Sequence, residues 1–434
     1  MTRPGAQRVA GAAPRLTLGW RDATGPAGLP EHRDRFGPLP PAGRGLLDAA
    51  EQAGLTGRGG SGFPSAVKMR AVAAGRGPAV VVANGMESEP VSRKDQALLA
   101  RNPHLVLDGA VLAARAVGAD VIHVCLDRNR AGQVSDIRRA VEERWWASVD
   151  PTPIQVEELP AHYVSSEETA LIRWLNGGEA KPMTTPPRPY ERGVRRRPTL
   201  VSNVETLAHL ALIARFGPGW FRAAGTPRSP GTMLVTAAGA VRQSGVYEIE
   251  CGTPVGEVLA MSEADDAAAA VLIGGYFGTW HHIRDIARLP LSKDGLRPVG
   301  AAVGAGVVFA LPAGRCGLAE TARILGYLAA QGAQQCGPCR FGLPAIADDF
   351  AQLSAGRPDG DPLARLERRL GVISGRGACR HPDGAVRMAA SALTAFAADA
   401  RSHAARRPCA GAGAGRAPTA VLPVTRPWAE EPWR

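Results

Sequence analysis

The sequence predicts an α/β fold over its first half, followed by a small strand-rich unit and a helical bundle. Between residues 79 and 159, apolar runs of strand length alternate with helical spacings, the order of a layered sheet covered by helices. From about Gly231 short strand-like runs crowd together, starting with TMLVTAAG and VYEIE. From Leu318 onward, apolar residues recur at helical spacing in segments separated by short breaks.

Residues 1–42 are rich in Pro, Gly and Arg with little periodicity and are expected to form an irregular arm. Gly43 to Ala53 (GRGLLDAAEQA) has helical spacing, and the glycine loop GLTGRGGSGF, Gly54 to Phe63, follows it. In that loop Gly57, Gly59 and Gly62 fit G-x-G-x-x-G. A dinucleotide fingerprint needs a strand before its glycines and a helix opening directly after them. Here a helix comes first and the buried strand AVVVA begins only at Ala79, so the loop is a poor Rossmann turn.

A helix from about Leu105 to Val117, a strand from Asp120 (DVIHVCL), a helix over Val134 to Trp146 and a strand from Ile154 (IQVEEL) continue the alternation. The segment EETALIRWLNGG reads as a helix closing on glycines, and a Pro/Arg loop spans Lys181 to Pro198. Asn203 or Ser202 is placed to cap a helix running from Val204 to Phe216. After a short helical TPVGEVLAM come the strands AVLIGG and VVFAL, and then the helices. From Arg406 the chain is Ala, Gly, Pro and Arg without periodicity, which predicts a disordered tail with no structural role for Cys409.

Composition removes several classes of function. The 434 residues carry a formal charge of +11, yet only Lys68, Lys94, Lys181 and Lys293 among the basic residues are lysines. The dense cluster Arg192, Arg195, Arg196 and Arg197 lacks interleaved aromatics, so no nucleic-acid partner is expected. No apolar run approaches the roughly 18 residues needed to cross a bilayer, and the N-terminus lacks a signal-peptide pattern, so no membrane insertion is expected and a cytoplasmic location is. Seven cysteines are too few and too unevenly spaced for a secreted disulfide framework.

Their grouping is informative instead. Cys336 and Cys339 form C-G-P-C at the end of one helix, and Cys379 lies at a later break, in RGACRHPDG. Loops of a bundle can bring three such thiols together, and Gly337 with Pro338 supplies the sharp turn an iron–sulfur site needs. On spacing alone, a redox pair or two core cysteines stand beside a cluster as readings.

GLTGRGGSGFPSAVK (Gly54 to Lys68), VVANGMESEP (Val81 to Pro90), the RKD and NPH that follow, YVSSEETAL (Tyr163 to Leu171), PTLVSNVETLA (Pro198 to Ala208) and CGPCRFG (Cys336 to Gly342) stand in this order. Together they resemble the NuoF family, which supplies the flavin-carrying, NADH-oxidising component of bacterial respiratory complex I and is shared with flavin subunits of some NAD-linked hydrogenases and formate dehydrogenases. The likeness covers about residues 43–400.

The resemblance implies a non-standard FMN-binding α/β domain (43–228), a small ubiquitin-like β-grasp (SLBB) domain (229–314), a helical iron–sulfur domain (315–405) and a tail (406–434). It implies that Gly57, Arg58, Gly59, Gly60, Lys68, Asn84, Glu87, Ser88, Glu167 and Asn203 contact FMN. Glycines let backbone N–H groups approach a phosphate or flavin, and Lys68 supplies a counter-charge, although by residue type alone it is a solvated helix-end lysine. Glu89 and Glu168 match positions facing the nicotinamide nucleotide, where carboxylates can bond ribose hydroxyls or the carboxamide, and Phe63 can stack there. Cys336, Cys339 and Cys379 match cluster ligands.

The chain departs from the family pattern at specific positions. Ala71, Thr185 and Arg188 stand where the family has Phe, Lys and Phe, which removes two stacking surfaces and a charge from the nucleotide side. Met86 and Ser166 replace an Asp and a Gly near the flavin. Ala333 replaces the first cysteine of C-x-x-C-x-x-C, leaving a three-cysteine site. That site suits a 3Fe-4S cluster, a 4Fe-4S cluster with a labile or non-cysteine ligand such as His381 or Asp383, or none; Cys316 is a further candidate.

The resemblance therefore implies an electron-transfer protein that moves hydride from NAD(P)H to FMN and single electrons through the cluster to ferredoxin-like or complex I-like redox subunits. It also implies a position in the cytoplasm, peripheral to the inner face of the cell membrane. The departures leave two alternatives, a carrier with no nucleotide site and an inactive assembly scaffold.

Overall fold

The computed structural model describes residues 14–20, 25–412, 422–424 and 432–434. The N-terminal arm is not irregular throughout. Leu29–Phe36 forms α1, which buries Leu29, His32 and Phe36, and its 8 residues are too few to display an amphipathic repeat in the sequence. Ahead of it, the backbone N–H groups of Arg15, Leu16 and Thr17 donate to the buried Glu248 carboxylate, each at 3.0 Å.

In α2 (Gly45–Ala53) the apolar stripe Leu46, Leu47, Ala50 and Ala53 faces the core, and Gly54, with φ of 70°, ends the helix in the left-handed conformation. The glycine loop follows and leads into α3 (Ser65–Ala73) and then β1 (Ala79–Asn84). Helices α4 (Lys94–Arg101) and α5 (Pro103–Val117) connect to β2 (Ala119–Asp127), and α6 (Ala131–Trp146) to β3 (Ile154–Leu159). Helices α7 (Glu168–Leu175) and α8 (Pro189–Arg192) precede β4 (Thr199–Asn203) and α9 (Val204–Arg222).

These four strands make one parallel sheet in the order β3-β2-β1-β4. Both faces of β1 are buried, as a sheet covered by helices requires. The order reverses between β1 and β4, where the register sets Asn84 opposite Asn203 at the carboxyl ends. Such a switch point opens the crevice in which α/β sheets bind ligands. Helix α9 packs on α5 so closely that a Cβ at Gly109 would stand 1.9 Å from the Leu207 carbonyl oxygen. Strand β4 was not expected; its short apolar run reads in sequence as the approach to a helix.

The second sheet is mixed, in the order β6-β5-β9-β7-β8. It comprises β5 (Thr232–Gly239), β6 (Gly245–Glu250), β7 (Ala270–Ile273), β8 (Thr279–His282) and β9 (Val307–Ala310), with β5 and β9 parallel. Helix α10 (Val255–Met261) covers one face, and α11 (Ile283–Ile286) and α12 (Lys293–Leu296) lie in the connection before β9. On the opposite face Leu272, Trp280 and Phe309 share a core with α13 (Gly317–Ala330), α14 (Leu343–Ser354), α15 (Pro362–Ile373) and α16 (His381–Ala395). The last expected helix is two, because the chain turns at Phe396 before α17 (Ala397–Ala404).

The predicted disordered tail lies partly outside the described residues. Its described parts are placed. Residues 406–412 pack on the helical layer, Leu422 is fully buried, and Trp433 stacks on His162 with ring centroids 3.6 Å apart. Among the described residues no helix is long and apolar enough to cross a membrane.

Candidate functional site

The glycine loop closes on itself before it meets the sheet. The Gly57 N–H donates to the Phe63 carbonyl at 2.8 Å, and Thr56 and Pro64 form a bridge. The Arg58 N–H donates to Thr206 Oγ1 at 2.8 Å, which ties the loop to the first turn of α9. A Cβ at Gly59 would stand 3.3 Å from the Asn203 Cβ, and Gly60 has φ of 110°, so neither position readily takes a side chain. Gly59 and Gly60 are exposed at the sheet's switch point, and Phe63 is 50% exposed beside them. Arg58 differs from the other loop residues. Its guanidinium turns away to the Thr232 carbonyl, at 3.1 Å, and to Cys251, at 3.3 Å, so the expected cofactor contact is not made by its side chain.

The strand ends supply the next groups. Asn84 donates to the Ser166 carbonyl at 2.9 Å and accepts from the Met86 N–H, which shapes the loop after β1. Ser88 and Ser166 hydroxyls meet at 2.6 Å. Glu87 accepts from the N–H groups of Asp95 and Gln96, each at 3.1 Å, and from Ser92, so it caps α4. Asn203 caps α9 by accepting the Glu205 N–H at 3.0 Å, and donates to Asp95 at 2.7 Å. Ser202, the other expected cap, is not used.

Beneath Asn203 lies a buried charge network absent from the sequence expectation. The Lys94 ammonium donates to Asp95 at 2.7 Å and Glu205 at 2.8 Å, and the other Glu205 oxygen accepts the Leu234 N–H of the second sheet at 2.9 Å. Burial works against the Lys94 charge, but Asp95, Glu205 and Glu87 outweigh it and hold the ammonium charged. The RKD triplet was the available signal for Lys94 and Asp95.

Glu89 is clamped between the two halves of the chain. One carboxylate oxygen accepts from the Tyr163 hydroxyl and from the Tyr276 N–H, both at 2.9 Å. Gly275 leaves the room: a Cβ there would stand 2.6 Å from the Glu89 carboxyl carbon. The second oxygen, Oε1, is buried with no partner. Burial pushes the Glu89 carboxyl up to about 7, against the lowering pull of the Tyr276 N–H and Tyr163 hydroxyl.

Lys68, on α3, pairs with Glu168 at 2.6 Å. Glu167 caps α7 by accepting the N–H groups of Thr169 and Ala170, at 2.9 and 3.1 Å, and burial raises its pKa above the usual carboxylate range. Ala71 lies one turn beyond Lys68 on α3, and Thr185 and Arg188 are exposed in the loop before α8.

At the far end of α13, Cys336, Cys339 and Cys379 come from two breaks in the helical layer. Cys339 is buried, and burial pushes its thiol up to about 12, with Cys336 and Cys379 near enough to add to the effect. Cys379 is raised for the same first reason. The Gly332–Ala333 turn abuts this group: a Cβ at Gly332 would lie 3.4 Å from Cys339 Sγ. Among the expected substitute ligands, Asp383 accepts the Gly375 N–H at 2.7 Å and bonds Arg380. His381 bonds the Leu328 carbonyl at 2.7 Å through Nε2, and its Nδ1 has no partner. Cys316 is not part of this group; it sits at the opposite end of α13 with His403 and Cys409.

Residues 50–212 match the Nuo51 FMN-binding domain. Residues 319–403 match the NADH-ubiquinone oxidoreductase-F iron–sulfur binding region. The chain is 30% identical over 413 residues to the NADH-quinone oxidoreductase F subunit of Salmonella typhimurium, covering 88% of this chain and 91% of that one. It belongs to the NuoF family. A second NuoF relative, the NADH-quinone oxidoreductase F 2 subunit of Rhizobium meliloti, is 28% identical over 379 residues, 84% of this chain and 90% of its own. The NuoF fold seen here also resembles the crystal structure of NAD+-reducing NiFe-hydrogenase in the H2-reduced state, with a TM-score of 0.80 and 29% identity over 93% of this chain and 68% of that chain.

The residues of this NuoF chain suit both groups, FMN and an iron–sulfur cluster. An exposed glycine backbone facing Asn203 at the switch point of the sheet leaves room for the close backbone approach that a flat, phosphate-bearing cofactor such as FMN needs. Three thiols gathered at two chain breaks, in a donor set of soft sulfur, suit iron.

Proposed function

We propose that this chain is an FMN and iron–sulfur electron-transfer subunit that takes hydride from NADH, or from NADPH, and delivers single electrons to a partner redox protein. The observation that carries the reading is the convergence of the glycine loop, the loop after β1 and the cap of α9 on the switch point of a parallel sheet. FMN bound there supplies the conversion between a two-electron donor and one-electron acceptors.

The chain's own residues prepare that site. The Gly57, Gly59 and Gly60 backbone would hold the cofactor, and Asn84, Ser88 and Asn203 would orient it from the strand ends. The buried Lys94 network holds Asn203 and Asp95 in place beneath it. Lys68 supplies positive charge at the mouth of the cradle, and Glu168, paired to it, faces the nucleotide side. Glu89, its carboxyl raised by burial and braced by Tyr163 and Tyr276, would stand at the nucleotide side, where the resemblance places it. Cys336, Cys339 and Cys379 would hold the cluster, with His381 Nδ1 available as a non-cysteine donor.

In this reading residues 43–228 are the FMN domain, 229–314 an SLBB-type β-grasp domain and 315–405 the iron–sulfur domain. A mixed five-stranded sheet with α10 on one face, and the helices behind it, support that division. Ferredoxin-like or complex I-like partner subunits follow from the relatives' being subunits, and a cytoplasmic position peripheral to a membrane complex is part of the same proposal.

Anaerobic titration of the FMN-loaded protein with NADH and then NADPH, followed by flavin bleaching, tests it. Bleaching by either nucleotide establishes the hydride donor despite Ala71, Thr185 and Arg188. A flavin that stays oxidised with both, yet bleaches with dithionite, would replace this reading with a nucleotide-independent carrier.

A further inference from the structure

Cys316, His403 and Cys409 bring two sulfurs and a ring nitrogen within 4.8 Å of one another. The group lies where α13 begins, whereas the iron–sulfur loop lies where α13 ends. The helix has 14 residues. At 1.5 Å per residue the two thiol groups are therefore about 20 Å apart.

Each donor is placed by a separate element. Cys316 is the N-cap residue of α13 and is buried; burial, with Cys409 beside it, pushes its thiol up, so without a cation the site holds neutral thiols. His403, in α17, is fully buried. Its Nε2 accepts the Cys409 N–H at 3.0 Å, so Nε2 carries the lone pair. The ring proton is then on Nδ1, which donates to the Leu353 carbonyl at 3.2 Å. With Nδ1 tied to a carbonyl, the ring is fixed in the tautomer a metal ligand needs, and its Nε2 lone pair, which now accepts the Cys409 N–H, lies within 4.8 Å of both sulfurs.

The segment carrying Cys409 is built to stay there. A Cβ at Gly411 would stand 2.4 Å from the Gly314 carbonyl oxygen and 2.8 Å from the Cys316 nitrogen. Pro408 packs over Gly356, and the Ser402 hydroxyl donates to the Arg407 carbonyl at 2.6 Å.

We propose that Cys316, His403 and Cys409 bind a divalent cation of the zinc class, separate from the iron–sulfur site, which fastens the segment after α17 to the start of α13. Zinc bonds of about 2.3 Å to sulfur and 2.0–2.1 Å to nitrogen put tetrahedral donors roughly 3.5–3.8 Å apart, within a small adjustment of the observed group. Binding releases two thiol protons, and two thiolates cancel the ion's charge in a buried place. The ion takes the Cys409 N–H's place at Nε2, and water completes the fourth position. A Cys316–Cys409 disulfide is the competing use of the two sulfurs, in which His403 keeps its bonds to the Leu353 carbonyl and the Cys409 N–H.

Cobalt(II) is the probe. Titrated into the full chain with its flavin and cluster in place, under anaerobic conditions, it is expected to bind one equivalent. Thiolate-to-cobalt charge-transfer and tetrahedral d–d bands should appear in the difference spectrum and disappear on adding zinc. Cys409→Ser, in a partly exposed loop, should remove the charge-transfer bands from this site or weaken binding about 10-fold or more, with the iron content unchanged. A Cys336→Ser/Cys339→Ser chain should retain the cobalt site, which separates it from metal taken up by vacated cluster thiols. The proposal is overturned by absence of the bands, by bands of full intensity and unchanged affinity in Cys409→Ser, or by a Cys316–Cys409 disulfide in the unreduced protein's peptide masses.

Discussion

The Lys68 ammonium and the Glu168 carboxylate meet at 2.6 Å, joining the residue expected to serve the flavin to one expected to serve the nucleotide. Both side chains are partly exposed, so the pair adds little to stability and is free to exchange partners. Lys68→Ala should leave the melting temperature of the flavin-free protein nearly unchanged. It should weaken FMN binding by roughly 10-fold to 100-fold, the scale of a lost hydrogen bond to a charged group. Fluorescence titration with FMN measures this, and equal affinity in the variant would remove Lys68 from the cradle.

Glu89 sets a pH dependence. Its carboxyl is raised from 4.5 to about 7 by burial, so the folded protein holds this proton more tightly than the unfolded chain. The stabilising contribution is fully present below pH 4.5 and is lost as pH rises through 7, by about 3 kcal/mol in all. Glu89→Gln cannot ionise, so its stability relative to the parent should rise between pH 5 and pH 8. Urea unfolding of both proteins at the two pH values checks this; parallel shifts would show that Glu89 does not titrate there.

Ala71→Phe restores a ring one turn from Lys68 on α3. At about 0.5–1.5 kcal/mol for an aromatic contact, it should lower the KM for NADH roughly 2-fold to 12-fold with kcat little changed. Steady-state kinetics with an artificial acceptor decides it, and an unchanged KM would mean the nucleotide does not pass Ala71.

Ala333→Cys should supply a fourth thiolate beside Cys339. Iron per chain should rise and the cluster should survive air for longer, as read by iron analysis and visible absorbance. If neither changes, the three cysteines with a non-cysteine donor already complete the site.

Asp108 tests the frame. It pairs with Arg144 at 2.7 Å, with His32 at 2.8 Å and with Arg215, all buried. Although burial opposes its charge, His32, Arg144 and Arg215 hold the carboxyl below the usual carboxylate range. Asp108→Ala leaves buried cations uncompensated and should cost about 3–5 kcal/mol in chemical denaturation. A smaller loss would indicate that Asp150 alone satisfies Arg144.

Periodicity made much of this legible before the structure. AVVVA and DVIHVCL read as strands because both faces of a parallel sheet are buried, so the apolar run is continuous. Strand β4 was hidden because TLVSN is short and runs straight into the helix that Asn203 caps. The site residues were legible only through the ordered motifs, since Gly59, Glu89 and Asn203 meet across separate stretches of chain. Tyr276 and Glu205 were missed because they act by donating or accepting one bond from a distant element. The placement of Cys409 was not legible because a Gly- and Ala-rich segment carries no periodicity, while close backbone contact at Gly411 holds it.

Glu205 links Lys94, beneath the flavin cradle, to the backbone of the sheet on which the helical layer rests. With one buried carboxylate shared between them, the cradle and that sheet cannot slide apart without exposing an unsatisfied charge. Electron tunnelling falls off exponentially with distance, so such a brace controls a rate through geometry. On the proposed function, a change at Glu205 would act through Lys94 and Asp95 on Asn203 and on the sheet at once, altering how quickly charge leaves the flavin side without touching a cofactor-contacting residue directly.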